Sequence, residues 1–376
     1  MLTIPQQFEE LLKHPENILI MLKKNPLIAD TAAALALKKV LENRKKTVEI
    51  ASENFHAASK MKFLPGLSEI KDNLSHLRKF VIRVDTSRTK VEELSYDQNG
   101  DHLDIFLMPS GGMFRKEDVE TREGDFRFDL IICVGTPDLE SLGQLYEQNS
   151  EFFYETPIVN IDHNPANEHF GQVNIVDLTA SSSAEIIYAI AKRFATEPFH
   201  PDLATLILAG MIAETKSFQK RISPQSLQIA SSLISQGARR EEIIQHLYFT
   251  KSLSLLKLWG KILTRLQKDE KYGIVWSYAS AEDLKQSFDD GLDDIMEELI
   301  ASSPEAKIIV LFAENKSDAI DVSVQTVKNI DAQILAKPFT ANSERQRAQW
   351  TMAKNLMEAQ TAVLESFKKA LESLPK

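Results

Sequence analysis

The segment that most constrains this chain is Asn17-Ile-Leu-Ile-Met-Leu22, a compact apolar run with polar residues on both sides. A run of this length predicts a buried strand. It passes into a loop, Lys23-Lys-Asn-Pro-Leu-Ile-Ala29, and then into an alanine-rich stretch that predicts a helix capped by Asp30 and reaching about Glu42. Thr47-Val-Glu-Ile-Ala51 predicts a second strand. Strand, helix, strand in this order implies a parallel sheet with crossover helices, and so an α/β fold.

The rhythm continues along the chain. Phe8–Leu12 predicts a short helix before the first strand. Leu130–Val134, Pro157–Ile161 and Val173–Val176 predict further strands, with helices at Asp138–Glu147 and about Ser183–Phe194. Residues 77–108 interrupt it. Three segments there alternate apolar and polar residues, and Asn99-Gly100 marks a hairpin turn, so an antiparallel insertion is expected. Residues 200–267 carry apolar residues at helical spacing. From Tyr272 strands are expected at Gly273–Ser277, Lys307–Phe312 and Ala319–Val324, then a long helix from about Glu344 to Leu374. The resulting division is a parallel-sheet domain over 1–196, a helical connector over 197–267 and a smaller α/β domain over 268–376.

With 376 residues, two domains are the default expectation. The net charge of −10 argues against a protein that coats duplex DNA, but leaves room for a local basic groove. Cys133, the single cysteine, lies in an apolar run and is expected to be a buried thiol rather than half of a disulfide. No basic, then apolar, leader is visible at the start, and no apolar run is long enough for a bilayer. A cytoplasmic protein with no membrane association is the expectation.

Candidate chemistry gathers after two strands. Ile161-Asp-His-Asn-Pro-Ala-Asn-Glu-His-Phe-Gly171 opens a loop at a strand end, where ligands bind in open α/β sheets. Asp177 ends the next strand, and Ser181, Ser182 and Ser183 lead into a helix. Two carboxylates and a histidine at strand ends suit a metal site, but Asp and Ser at such places also form caps and turns.

The combination resembles the DHH phosphoesterase superfamily, in the branch of oligoribonucleases, phosphoadenosine-phosphate phosphatases and cyclic-dinucleotide phosphodiesterases. The family hallmark Asp-His-His is here Asp162-His163-Asn164. Asn167, Phe170, Gly171, Asp177, Ser183, Ala184 and Glu185 match the motifs that follow, and Ala209–Phe218 resembles a further family segment with Glu214 where Asp is usual. The resemblance covers nearly the whole chain. It implies a parallel-sheet DHH-like domain, a helical connector and a DHHA1-like second domain, with a metal-dependent phosphoester hydrolase site in the cleft between domains.

The departures fall on the ligand positions. Pro26 and Ala36-Leu37 hold the register of the first motif, yet the histidine position is Lys23 and the two aspartates are Leu27 and Ala29. The carboxylate that bridges two metals in the family is Gly135; Asp138 lies three residues further on. The second hallmark histidine is Asn164. A two-metal mechanism needs a bridging carboxylate and several ligands per ion, so no metal is expected. Lys23 is expected to stand in for the missing cation and pair with Asp177 or Asp162. The family's glycine-rich phosphate turn is replaced by Phe339–Trp350, where Arg345 and Arg347 are candidate phosphate contacts, or else simply residues of a solvated helix start.

Several readings stay open on the residues alone. Asp162 and His163 are either structural groups kept for folding or, with Asp177, the ligands of one Mn²⁺ or Mg²⁺. Ser182 and Ser183 are helix-capping residues or phosphate contacts at a helix start. His169 is expected on a surface loop. Asp289-Asp290 with Asp293-Asp294 is expected to start an exposed helix, and Phe152, Phe153 and Tyr154 are expected to pack. The function expected is that of an inactive phosphoesterase homologue that binds a nucleotide, a short oligonucleotide or a protein partner. The alternatives are a reduced single-metal hydrolase and a structural subunit of a hetero-oligomer, and in any of these roles a homo- or hetero-oligomer is expected.

Overall fold

A computed structural model describes residues 3–194, 197–249, 253–284, 296, 305–315, 319–327, 329–343 and 345–373. The chain divides into two compact units, Met1–Phe249 and Thr250–Lys376. No described helix is long and apolar enough to cross a membrane.

The first unit begins with α1 (Ile4–Leu11), β1 (Asn17–Met21), α2 (Ile28–Glu42), β2 (Thr47–Ala51) and β3 (Ile70–Lys71). The insertion follows as β4 (Arg78–Val84), β5 (Val91–Asn99), β6 (His102–Pro109) and β7 (Val119–Phe126). Then come β8 (Leu130–Val134), α3 (Gln144–Glu147), α4 (Ser150–Glu155), β9 (Ile158–Asp162), β10 (Val173–Val176), α5 (Ser183–Phe194), α6 (Pro201–Glu214), α7 (Pro224–Ser235) and α8 (Arg240–Tyr248). The main sheet has the order β10-β9-β8-β1-β2-β3, with parallel pairs throughout.

The central strands bury side chains on both faces, as a parallel sheet between helices requires. Ile18, Ile20, Ile132 and Ile161 belong to one core with α2, α5 and α6. Leu19, Met21, Ile131 and Cys133 belong to the other, with Phe152 and Phe153 of α4. Cys133 is fully buried, and burial pushes its thiol pKa up. Tyr154 departs from expectation: it turns outward from α4 and is exposed. Gly210 explains how α6 sits so close to its neighbours. A Cβ there would lie 2.6 Å from the Ala184 Cβ and 3.2 Å from the Ala29 carbonyl oxygen.

Three local expectations are corrected. Asp30 does not cap α2; Leu27 holds the N-cap, and Asp30 sits buried in the first turn. The expected helix at Asp138–Glu147 is broken at Gly143, whose φ of +64° separates a short turn, Glu140–Leu142, from α3. The insertion also runs further than residue 108. β4 pairs antiparallel with β7, and β5 pairs antiparallel with β6 around Gly100.

The helices of residues 197–249 pack inside the first unit. α6 lies against α2 and α5, while α7 and α8 lie against α6. The second unit opens with α9 (Leu253–Thr264) and holds a mixed sheet. Its strands are β11 (Gln267–Asp269), β12 (Ile274–Ala279), β13 (Ile308–Glu314), β14 (Ile320–Thr326), β15 (Asn342–Ser343) and β16 (Arg347–Met352), ordered β11-β12-β13-β14-β16-β15. The expected helix from Glu344 is therefore corrected as well: Arg347–Met352 is a strand antiparallel to β14, and the helix covers only Leu356–Ser373. The acidic stretch at 289–294 lies outside the described residues.

Candidate functional site

The candidate site lies at the C-terminal ends of β1, β8, β9 and β10, where successive loops converge. After β1, the Lys24 N–H donates to the Ser141 carbonyl (2.9 Å), and the Ser52 hydroxyl donates to the Lys23 carbonyl (2.9 Å). These bonds hold the Lys23 backbone over the sheet.

The Lys23 Nζ lies 3.0 Å from Asp30 Oδ2. This corrects the expected pairing with Asp177 or Asp162. The contact is an ion pair rather than an aligned hydrogen bond, so Asp30 Oδ2 is buried without a directed donor. Burial raises the Asp30 pKa to about 6, and Lys23 opposes that rise.

Gly135 ends β8 with φ +61°, and its N–H donates to the Ile161 carbonyl (3.0 Å). A Cβ at this position would lie 2.1 Å from Asp30 Oδ1 and 2.4 Å from Asp30 Cγ. The Asp30 carboxylate thus occupies the space that a side chain at 135 would need. Both the left-handed backbone and this contact call for glycine.

After β9, Asp162 is buried and accepts three hydrogen bonds: from the backbone N–H groups of His163 (2.7 Å) and Asn164 (3.2 Å), and from Asn167 Nδ2 (2.8 Å). Asn167 Nδ2 also donates to the Thr136 carbonyl (3.0 Å), which ties the β9 loop to the end of β8. The His163 ring lies between Ser183 Oγ (3.2 Å from Nδ1) and Glu214 Oε1 (3.3 Å from Nε2). The hydrogen bond from His163 lowers the Glu214 pKa against the effect of burial, and Arg221 and Lys23 add to the lowering.

The remaining predicted residues are placed as follows. Asp177 is exposed and accepts from the N–H (2.9 Å) and hydroxyl (2.6 Å) of Thr179, which hold its pKa down. Ser182 is buried, and its hydroxyl accepts from the Glu185 N–H (3.3 Å); Ser183 is buried against His163. Glu185 accepts from the Ser181 N–H (2.9 Å), the Ser181 hydroxyl and the Ser226 hydroxyl (3.0 Å), joining the start of α5 to α7. Leu27 is exposed and Ala29 is buried. His169 is exposed on its loop, and its backbone N–H donates to Asn167 Oδ1 (2.9 Å). Arg345 and Arg347 belong to the second unit, at the entry to β16. Among the described residues, no group of three or more His, Cys, Asp and Glu side chains is arranged to hold a metal.

Two members of the site escaped sequence reasoning. Asp30 sits one residue past a family ligand position and looked like a cap. Arg221 lies beyond the Ala209–Phe218 motif, after a turn in which Lys216, Ser217 and Phe218 all have positive φ. A cleft of about 360 Å³ is lined by His163, Leu178, Thr179, Arg221, Ile222 and Ser223, among others. Its rim is partly apolar, since Leu178 and Ile222 are exposed.

No protein-family model matches the chain. It is similar to the bifunctional oligoribonuclease and PAP phosphatase NrnA of Thermus thermophilus, with 23% identity over 216 residues, 57% of this chain and 64% of that protein. The protein of the same name from Bacillus subtilis is 29% identical over 157 residues, 41% of this chain and 47% of that one. The chain thus spans less than two thirds of the length of these relatives. Among solved structures, an exopolyphosphatase-related protein from Bacteroides fragilis shares the fold: the TM-score is 0.73 over 98% of this chain and 95% of that chain, at 17% identity. The sequence likenesses support membership of the DHH phosphoesterase superfamily, and the solved structure shares the fold. Within that superfamily, the chain is similar to the NrnA-type proteins.

Proposed function

We propose that this chain binds a phosphorylated ligand, a nucleotide or short oligonucleotide, and does not hydrolyse it by the two-metal chemistry of its superfamily. One observation carries the reading. The Asp30 carboxylate fills the space beside Gly135 and lies 3.0 Å from the Lys23 ammonium. A dication pair needs charged oxygen ligands around it. The family positions for those ligands hold Lys23, Leu27, Ala29, Gly135 and Asn164 here, and the nearest added carboxylate already faces a cation. The donor set does not fit two metal ions, and no step is derived through them.

The cleft keeps features suited to an anion. Arg221 can present a planar pair of donors to a phosphate. His163 lines the same cleft and is held by Ser183 and Glu214. The exposed Leu178 and Ile222 offer apolar surface for a base or sugar. The relatives are named for oligoribonucleotides and PAP, which selects the ligand class to try first.

The test is a fluorescence titration of a labelled short oligoribonucleotide and of adenosine 3′,5′-bisphosphate, with and without Mn²⁺, followed by analysis of the recovered ligand. Saturable binding with the ligand intact supports the reading. Metal-dependent shortening or dephosphorylation refutes the inactive site, and absence of binding to both ligands refutes the ligand class.

A further inference from the structure

The β5–β6 ribbon stands apart from the cleft chemistry. It is built of strands of 9 and 8 residues, and from Glu92 to Asn99 every residue of β5 is exposed. A two-stranded ribbon alone in water is marginally stable and requires a further strand or a packed face.

Its two faces differ. Cross-strand partners share a face. One face carries the pairs Leu94–Leu107, Tyr96–Ile105 and Gln98–Leu103. These six residues carry no charge, with exposed Glu92 at the edge of the face beside the bulge, and Leu94, Tyr96, Leu103 and Ile105 are 65%, 72%, 58% and 41% exposed. The other face carries Glu93–Met108, Ser95–Phe106 and Asp97–Asp104. Like charges sit directly opposite one another there, which costs stability unless both remain in water. This face also exposes Phe106 and Met108 (54% and 55%), but its carboxylates Glu93, Asp97 and Asp104 keep it in solvent, and the apolar face is the one that needs cover.

We propose that the apolar face of the β5–β6 ribbon is covered by the same face of a second copy of this chain, related by a two-fold axis. A two-fold contact brings one patch against itself, so the patch must be self-complementary. An uncharged apolar face meets that condition even in a chain of net charge −10. The acidic reverse face disfavours an anionic membrane or a nucleic acid as the occupant. The four exposed side chains present on the order of 400 Å² per copy, roughly half of what one partner buries in a standard interface, which suits a weak, concentration-dependent dimer. Phe80 and Ile82, exposed on a single face of β4, add apolar surface from the same insertion.

Sedimentation velocity of the purified full chain, over a range of micromolar concentrations, tests this directly. The expected result is a species of twice the chain mass, with the double variant Tyr96→Lys/Ile105→Lys at the mass of one chain and an unchanged far-UV circular dichroism spectrum. Tyr154→Lys, at an exposed site outside the ribbon, should leave the dimer intact. A wild-type chain of single mass at every concentration overturns the proposal, as does a dimer that survives the double variant. Should the double variant misfold, a nitroxide on Leu103→Cys decides the matter: dipolar coupling between copies supports the ribbon interface, and its absence overturns it.

Discussion

Asp30 and Gly135 occupy one space: the Asp30 carboxylate lies where a Cβ on Gly135 would stand, 2.1 Å from that ideal position. The two residues are 105 positions apart in sequence, yet each sets what the other can be. Asp30 lies in the first turn of α2, with its carboxylate 3.0 Å from the Lys23 ammonium.

Substitution at Gly135 should therefore be costly, and the cost should depend on Asp30. Gly135→Ala is expected to destabilise the fold by about 2–4 kcal/mol, from forced left-handed backbone and overpacking together. In the Asp30→Ala background the penalty should shrink towards the roughly 1 kcal/mol of the backbone alone. Urea unfolding of the four chains measures the coupling. Additive costs would mean that the two positions do not share space.

Asp30 should also give stability a pH dependence. Its pKa in the folded protein is about 6, against an unfolded value of 3.8. The raised value means that its contribution favours folding below the unfolded pKa and is lost as pH rises through about 6. Between pH 4 and pH 7.5 the wild type should lose roughly 2–2.5 kcal/mol relative to Asp30→Asn. Parallel stability profiles for the two chains across this range would contradict the assignment.

Glu185 should prove structural. It is buried and accepts bonds from Ser181 and Ser226, which pin the start of α5 to α7. Glu185→Ala leaves buried donors unsatisfied and should cost roughly 2–4 kcal/mol. A melting temperature within a degree of wild type would show that the bonds add little.

Arg221 should act on binding instead. It is exposed in the cleft, so Arg221→Ala is expected to leave the fold intact and to weaken nucleotide binding about tenfold, the worth of one charge-assisted contact. Calorimetric titration separates the two effects. Unchanged affinity in a folded variant would remove Arg221 from the binding site.

Much of the fold was legible because burial writes a period into sequence. Ile18 and Ile20 face one core while Leu19 and Met21 face the other, which matches the buried strand expected for the run at 17–22. The misreadings have physical causes. Residues 344–352 are rich in helix formers, but pairing with β14 overrides propensity, and the period-two burial of Ala348 and Trp350 was the signal to weigh. The partner of β4 was missed because β7, Val-Glu-Thr-Arg-Glu-Gly-Asp-Phe, is mostly polar and exposed. At the site, the candidate positions were visible one by one. That Asp30 fills the space beside Gly135 is a fact of three-dimensional packing, carried by neither residue alone.

The central claim is that the Lys23–Asp30–Gly135 arrangement has displaced the metal chemistry of the superfamily. Isothermal titration of the purified chain with Mn²⁺ at neutral pH, with a short oligoribonucleotide present in a parallel run, tests it most directly. The expected result is no stoichiometric Mn²⁺ binding and an oligonucleotide of unchanged length. Uptake of one or two Mn²⁺ per chain, with cleavage that Asp162→Ala or Asp177→Ala abolishes, would contradict it.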